Sequence, residues 1–215
     1  MHERLTRRQL AGLYAVTPDV DDTALLLSKV EAALAGGARL VQYRNKTAAE
    51  NLRREQAGEL HRLCRNCGAI LIINDHIRLA GEVDADGVHV GADDASVAAA
   101  RIQLGPDKII GASCYNDLQC AQSAAAQGAD YVAFGSFFAS SVKPGAVRAP
   151  LTILRSARWQ FELPVVAIGG ITLANAGDLI RAGADAIAVI SALFAAPDVE
   201  AAAHQFCRLF QSETA

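Results

Sequence analysis

The sequence predicts an α/β fold, a single (β/α)8 barrel of the TIM type preceded by a short N-terminal extension, and three observations carry that prediction. Eight short apolar runs alternate with longer segments of helical period. Most runs are apolar at consecutive positions, the mark of parallel strands covered on both faces. A Gly-Ala-Asp-like signature recurs where a helical segment gives way to a run.

Strands are predicted over residues 13–16, 40–42, 70–73, 87–90, 108–112, 131–134, 164–168 and 186–190. Between and after them the period predicts helices over 23–35, 48–67, 95–104, 118–127, 151–159, 173–182 and 199–210. The gap after the third strand holds only a short helix, 77–82. The signature reads Gly-Gly-Ala-Arg-Leu-Val from Gly36, Asp-Ala-Asp-Gly-Val from Asp84, Gly-Ala-Asp-Tyr-Val from Gly128 and Gly-Ala-Asp-Ala-Ile from Gly183. Each glycine is expected to cap a helix just before a strand opens. No Pro-rich or Ser-rich linker divides the chain, so one domain over residues 1–215 is expected. A doubly wound open sheet would call for a glycine-rich turn after the first strand, where this chain has Thr17-Pro18-Asp19.

Composition narrows the function. At 215 residues and 52% hydrophobic, the chain can bury a large core without disulfides or structural metal. A net charge of -3 argues against a broad nucleic-acid face, so any phosphate site must be local. Met1 to Gln9 is polar and basic, and nowhere do roughly 18 uncharged apolar residues run together, so neither a signal peptide nor a membrane span is expected. A cytoplasmic protein is the expectation, and the sequence is compatible with a homo-oligomer. Of five cysteines only Cys64 and Cys67 form a C-x-x-C pair, and without a second pair or a His cluster they read as helix residues rather than a zinc or redox site.

In a barrel of this kind chemistry sits where strands end at the carboxyl face. Tyr14 and Thr17 on the first strand read as packing and turn residues. In Gln42-Tyr43-Arg44-Asn45-Lys46 a period of two sends Gln42, Arg44 and Lys46 the same way, and two cations in the mouth call for an anion. The third strand ends in Asn74-Asp75, and the fourth leads through His89 and Gly91 to Asp93 and Asp94. Carboxylates on adjacent strand ends suit Mg2+, a hard ion bound by one or two carboxylates plus phosphate oxygens; helix capping by Asp75, Asp93 or Asp94 is the alternative. His89, inside a strand, reads as a satisfied interior residue rather than a proton carrier. Ser113 can bond a heterocycle nitrogen or shape a turn. The stretch Gly135 to Gly145 is glycine-flanked and rich in small polar residues, a lid able to deliver Lys143 to a phosphate or else a plain surface loop. Gly169-Gly170 after strand seven and Ile190-Ser191 after strand eight form the usual phosphate pocket of the barrel class.

These residues resemble the thiamine-phosphate synthase family from Gly12 to about Pro197, with six short motifs in order. They are Gln-Tyr-Arg-Asn-Lys at Gln42, Ile-Asn-Asp at Ile73, Asp-Gly-Val-His-Val-Gly at Asp86, Gly-Ala-Ser at Gly111, the loop ending in Lys143 and Ile-Gly-Gly-Ile at Ile168; Val-Ile-Ser at Val189 closes the series. The resemblance implies a transferase that joins hydroxymethylpyrimidine diphosphate to hydroxyethylthiazole phosphate, or its carboxylated form, releasing diphosphate through a dissociative pyrimidine carbocation. It implies pyrimidine-diphosphate contacts at Gln42, Tyr43, Arg44, Asn45, Lys46, Asn74, Ser113 and Lys143, with Arg44, Lys46 and Lys143 catalytic. One Mg2+ per subunit would be held by Asp75 and Asp94, since the family pattern Gly-Gln-x-Asp puts the ligand three residues after Gly91. Thiazole-phosphate contacts would fall at Ser140, Ser141, Val142, Gly170, Ile190 and Ser191.

The chain departs from the family's pattern at Ala92, where a glutamine is usual, and in the loop from Ala139 to Lys143, where Val142 replaces a hydroxyl donor. One lost hydroxyl contact costs about 0.5–1.5 kcal/mol, enough to alter which thiazole form is accepted. Two alternatives remain at this stage: a thiazole tautomerase, with His76 as proton carrier, and a non-catalytic regulatory barrel binding a thiamine precursor.

Overall fold

Parallel strands each need a crossover, and the chain supplies one after every strand. The computed structural model describes residues 7, 9–91, 96–139 and 147–212. Its elements are β1 (Gly12–Val16), α1 (Thr23–Ala35), β2 (Leu40–Tyr43), α2 (Glu50–Asn66), β3 (Ile70–Asn74), α3 (Ile77–Glu82), β4 (Gly87–Val90) and α4 (Val97–Leu104). There follow β5 (Ile109–Tyr115), α5 (Leu118–Ala126), β6 (Tyr131–Phe134), α6 (Thr152–Gln160), β7 (Val165–Ile168), α7 (Leu173–Arg181), β8 (Ala186–Val189), α8 (Ser191–Phe194) and α9 (Val199–Ser212). The strands close in sequence order into an all-parallel barrel, β8 pairing with β1. This is the predicted (β/α)8 architecture.

Three local differences from expectation have plain causes. Strand β5 continues through Ser113 to Tyr115, because a register shift between Ser113 and Tyr115 lets it follow β6 further than its apolar run extends. Helix α4 begins at Val97, capped by the Ser96 hydroxyl, which accepts from the Ala99 N–H. Asp93 and Asp94, the other candidates for this cap, lie outside the described residues. The four-residue α8 is too short to announce itself by periodicity.

Alternation along each strand sorts the core into two layers. Tyr14, Val16, Leu40, Ile72, Ile109, Tyr131, Ala133, Val166, Ala186 and Ala188 fill the barrel. Val41, Tyr43, Leu71, Ile73, Val88 and Val132 instead pack with the helices. Room inside is tight around Tyr131: a β-carbon on Gly111 would lie 1.9 Å from its ring Cζ. Gly111→Ala is therefore expected to cost about 1–3 kcal/mol through displacement of the buried ring. Chemical denaturation measures this, and an unchanged midpoint would contradict the close approach.

The recurring signature acts at the opposite, N-terminal end of the barrel. Its aspartates Asp86, Asp130 and Asp185 accept the N–H groups of Leu71, Ile110 and Val165 at 2.7, 2.7 and 2.9 Å. Each carboxylate thus latches the strand it opens to the strand before. Arg101 adds a 2.6 Å ion pair to Asp130, and Arg158 and Arg7 pair with Asp185. In the first copy Arg39 takes the aspartate's place and donates to the carbonyls of Leu34 and Ala38 instead.

Candidate active site

At the mouth, the β2 run divides by side. Gln42 is buried inside the barrel and donates through Nε2 to the Tyr14 hydroxyl at 2.9 Å. Tyr43 and Asn45 lie on the outer side, where the Tyr43 hydroxyl donates to Gln56 Oε1 at 2.9 Å. Asn45 Nδ2 donates to Gln56 Oε1 at 3.2 Å and to the Val20 carbonyl at 3.0 Å. Tyr43 and Asn45 are two of the five residues that the family resemblance places against the pyrimidine diphosphate. The strand's alternation commits the Tyr43 and Asn45 side chains to the joint with α2, which leaves only their backbone to a ligand in the mouth.

Arg44 is half-buried and held on three sides. Its Nη1 donates to Asp19 Oδ1 at 3.1 Å, and the same oxygen accepts the Lys46 N–H at 2.8 Å. The fully buried Thr17 brackets the Arg44 backbone, accepting its N–H at 2.8 Å and donating to its carbonyl at 2.9 Å. Sequence reasoning missed both roles, treating Thr17-Pro18-Asp19 as a turn. An acid just beyond strand one, facing a basic strand-two loop, was the available signal. The Lys46 side chain is exposed.

On β3, Asn74 Nδ2 donates to Asp75 Oδ2 at 2.6 Å, and the Asp75 N–H donates to the His89 carbonyl at 2.8 Å. Asp75 adopts a left-handed backbone, φ 62°, a conformation that costs a non-glycine residue about 1–3 kcal/mol and concentrates at functional sites. It does not cap α3, whose N-cap is His76 without a side-chain cap bond. A strained carboxylate oriented by an asparagine and not spent on capping fits a hard divalent cation.

Beneath these residues runs a buried polar chain. The Tyr14 and Tyr131 hydroxyls are 2.8 Å apart, Tyr131 Oη lies 2.9 Å from His89 Nδ1, and His89 Nε2 lies 2.9 Å from Ser113 Oγ. The His89 and Tyr131 rings stack with centroids 5.6 Å apart, while Tyr14 meets Tyr131 edge-on at 6.1 Å. Burial pushes both phenols well above their ordinary pKa, so each stays a protonated hydroxyl. His89 is the satisfied interior residue expected of it. Tyr14, read as packing alone, is also a link in this chain, a role invisible until β1 and β6 face each other.

Across the barrel, the turn after β7 and the start of α8 enclose a cavity of about 220 Å3, lined in part by Ala139, Gly170, Thr172, Ile190, Ser191 and Ala192. Gly169 and Gly170 have φ of 105° and 63°, and a β-carbon on Gly170 would come within 2.3 Å of the Ala139 carbonyl oxygen. Only glycine allows both the turn and this approach. The turn is pinned by Asn175, whose Oδ1 accepts from the Thr172 N–H at 2.8 Å and whose Nδ2 donates to the Gly170 carbonyl at 3.1 Å. The first N–H groups of a helix have no intrahelical acceptor, so Ser191 and Ala192 bring donors to the cavity rim.

Gln42 and Arg44, Asn74 and Asp75, and Ser113 thus belong to β2, β3 and β5 and the loops that leave them, while Gly170, Ile190 and Ser191 share the cavity at β7 and β8. Asp94, Ser140, Ser141, Val142 and Lys143 lie outside the described residues.

A profile described as thiamine monophosphate synthase matches residues 13–193. The chain is 57% identical over 209 residues to thiamine-phosphate synthase of Methylobacillus flagellatus, covering 96% of this chain and 100% of the relative. It is 57% identical over 202 residues to that of Thiobacillus denitrificans, covering 94% and 96%. Among solved structures, thiamine phosphate pyrophosphorylase from Pyrococcus furiosus superposes with a TM-score of 0.85 at 36% identity, covering 96% of this chain and 98% of that one.

Proposed function

Since the chain belongs to the thiamine monophosphate synthase family, we propose how its residues carry out the transfer that makes thiamine phosphate. The relatives support the synthase; the tautomerase and the regulatory barrel gain nothing from them.

Hydroxymethylpyrimidine diphosphate binds over β2 to β5 and hydroxyethylthiazole phosphate, or its carboxylated form, over β7 and β8. The bond between the pyrimidine methylene and the diphosphate oxygen breaks first, and the thiazole nitrogen captures the resulting carbocation with its own lone pair. No general base is required. The leaving diphosphate gains negative charge as that bond stretches, so cations fixed in advance stabilise the transition state more than the ground state. Arg44, held by Asp19 and Thr17, supplies one such cation; Lys46 and Lys143 supply the others. Asn74 and Ser113 position the pyrimidine half, and Ser140, Ser141 and Val142 with Gly170, Ile190 and Ser191 hold the thiazole phosphate. Asp75 and Asp94 would hold one Mg2+, which when bound neutralises charge on the diphosphate oxygens.

The observation that carries this reading is the anchoring of Arg44 next to the Asn74–Asp75 strand end, with a glycine-walled cavity across the mouth. Among the described residues no helix is long and apolar enough to cross a membrane, and a one-domain cytoplasmic enzyme, able to form homo-oligomers, is part of the proposal. Purified protein given both substrates and Mg2+ is expected to release thiamine phosphate and diphosphate, followed by chromatography. Absence of product at saturating Mg2+ would overturn the assignment. Chelation is expected to abolish turnover, and Asp75→Asn to raise the Mg2+ concentration needed for half-maximal rate by at least about tenfold. An unchanged Mg2+ dependence would remove Asp75 from the metal site.

A further inference from the structure

The buried chain from Gln42 through Tyr14, Tyr131 and His89 to Ser113 draws one residue from each of five strands, β2, β1, β6, β4 and β5. Each inner member has one proton to give, and a buried proton needs an acceptor, so a relay in which every proton is used runs in one direction at a time. Gln42 Nε2 donates to the Tyr14 oxygen. Among the described residues the Tyr14 hydroxyl meets only Gln42 and Tyr131, so its own proton must go to Tyr131. The Tyr131 proton then goes to His89 Nδ1, and His89 carries its hydrogen on Nε2, where it donates to Ser113 Oγ. Ser113 is left with its hydroxyl proton to give, and Gln42 with its carbonyl oxygen to receive. Burial keeps both phenols protonated, so neither can break the sequence by ionising.

We propose that this one-way relay is a specificity device: it presents an acceptor at Gln42 and a donor at Ser113, the complement of an aminopyrimidine's amino group and adjacent ring nitrogen. Tyr14, Tyr131 and His89 are positioning residues that act through the two ends. An oxo-pyrimidine offers the same two positions with donor and acceptor exchanged. Binding it would leave the Ser113 proton without an acceptor unless the relay reversed, with the Gln42 amide turned over and the His89 hydrogen moved to Nδ1. The inference rests on the placement of the pyrimidine half over β2 to β5.

Long-range proton–nitrogen NMR on the substrate-free protein, at mildly alkaline pH with 15N-labelled histidine, reads the His89 tautomer directly. The Nε2–H form is expected, and the Nδ1–H form would overturn the relay's direction. In parallel, kcat/KM is compared for the amino-pyrimidine diphosphate and its oxo analogue, in the native enzyme and in Tyr131→Phe. The native enzyme is expected to favour the amino form by about 100-fold or more, as sites built to bond a polar group do. Tyr131→Phe frees Ser113 to turn and is expected to bring that preference within about tenfold, mainly through KM for the pyrimidine substrate, with KM for the thiazole phosphate unmoved. Undiminished discrimination in Tyr131→Phe would sink the proposal. If that variant does not fold, the tautomer in the unaltered protein decides. Failure of the synthase reading looks different: no product from either pyrimidine, with the tautomer still readable.

Discussion

Arg44→Ala is expected to lower kcat/KM by about 10²–10³-fold while leaving the unfolding midpoint nearly where it was. The two halves of this expectation come from different physics. The Arg44–Asp19 pair is partly open to water, with side chains 12% and 35% exposed, so its loss removes no more than about 1 kcal/mol of stability. The catalytic loss is larger because the guanidinium opposes charge that grows only as the diphosphate departs, and because Asp19 and Thr17 have already paid the cost of orienting it. Lysine in its place restores the charge but not the fork, so partial recovery is expected. Steady-state kinetics beside a thermal melt separate the two effects. Equal losses in both would mean that Arg44 serves the fold and not the reaction.

Arg101→Ala is expected to do the reverse, lowering stability by about 3–5 kcal/mol and, for a chain this long, the melting temperature by about 10 °C. Asp130 is 4% exposed and accepts from Arg101 at 2.6 Å and from the Ile110 N–H at 2.7 Å. Without the arginine a buried carboxylate loses its counter-charge. The carbonyls of Gly105, Pro106, Lys108 and Gly128 lose a donor as well. Lysine cannot reach all of these with one ammonium, so Arg101→Lys is expected to remain unstable. Below the melting range turnover should be near normal, because Asp130 opens β6 at the end of the barrel away from the mouth. A differential scan showing less than a few degrees of change would contradict the burial argument.

The barrel was legible because its signal is local: runs apolar at consecutive positions separated by amphipathic segments, with a turn signature repeated at the joints. The charged and glycine residues of the mouth were legible for a related reason, since Arg44, Asp75 and Gly170 interrupt or end apolar runs where a covered strand would not place them. What the sequence hid depends on register between strands. Nothing near Tyr14 in the chain says that its hydroxyl meets Tyr131, 117 residues away. His89 within one apolar run and Ser113 just past another look like isolated exceptions until the barrel brings them to 2.9 Å. Thr17 and Asp19 read as a turn for the same reason, their partners lying on the neighbouring strand's loop. The opposite facing of Tyr43 and Asn45 follows from the same period of two that sends Gln42, Arg44 and Lys46 into the mouth.

The aspartate latches divide the closed sheet unevenly. Three strand pairs, β3 with β4, β5 with β6 and β7 with β8, are each clasped at their base by a carboxylate, whereas β1 and β2 meet where Arg39 stands instead. Hydrogen exchange at the Leu71, Ile110 and Val165 amides would therefore act as three separate clocks, each timing the parting of one pair. Among the described residues the pair formed by β1 and β2 has no such carboxylate, and it is the pair that carries Tyr14, Thr17, Gln42 and Arg44, so the joint on which the anion-binding loop is mounted is held from the mouth side, by Gln42 on Tyr14 and Thr17 on Arg44, and not from its base.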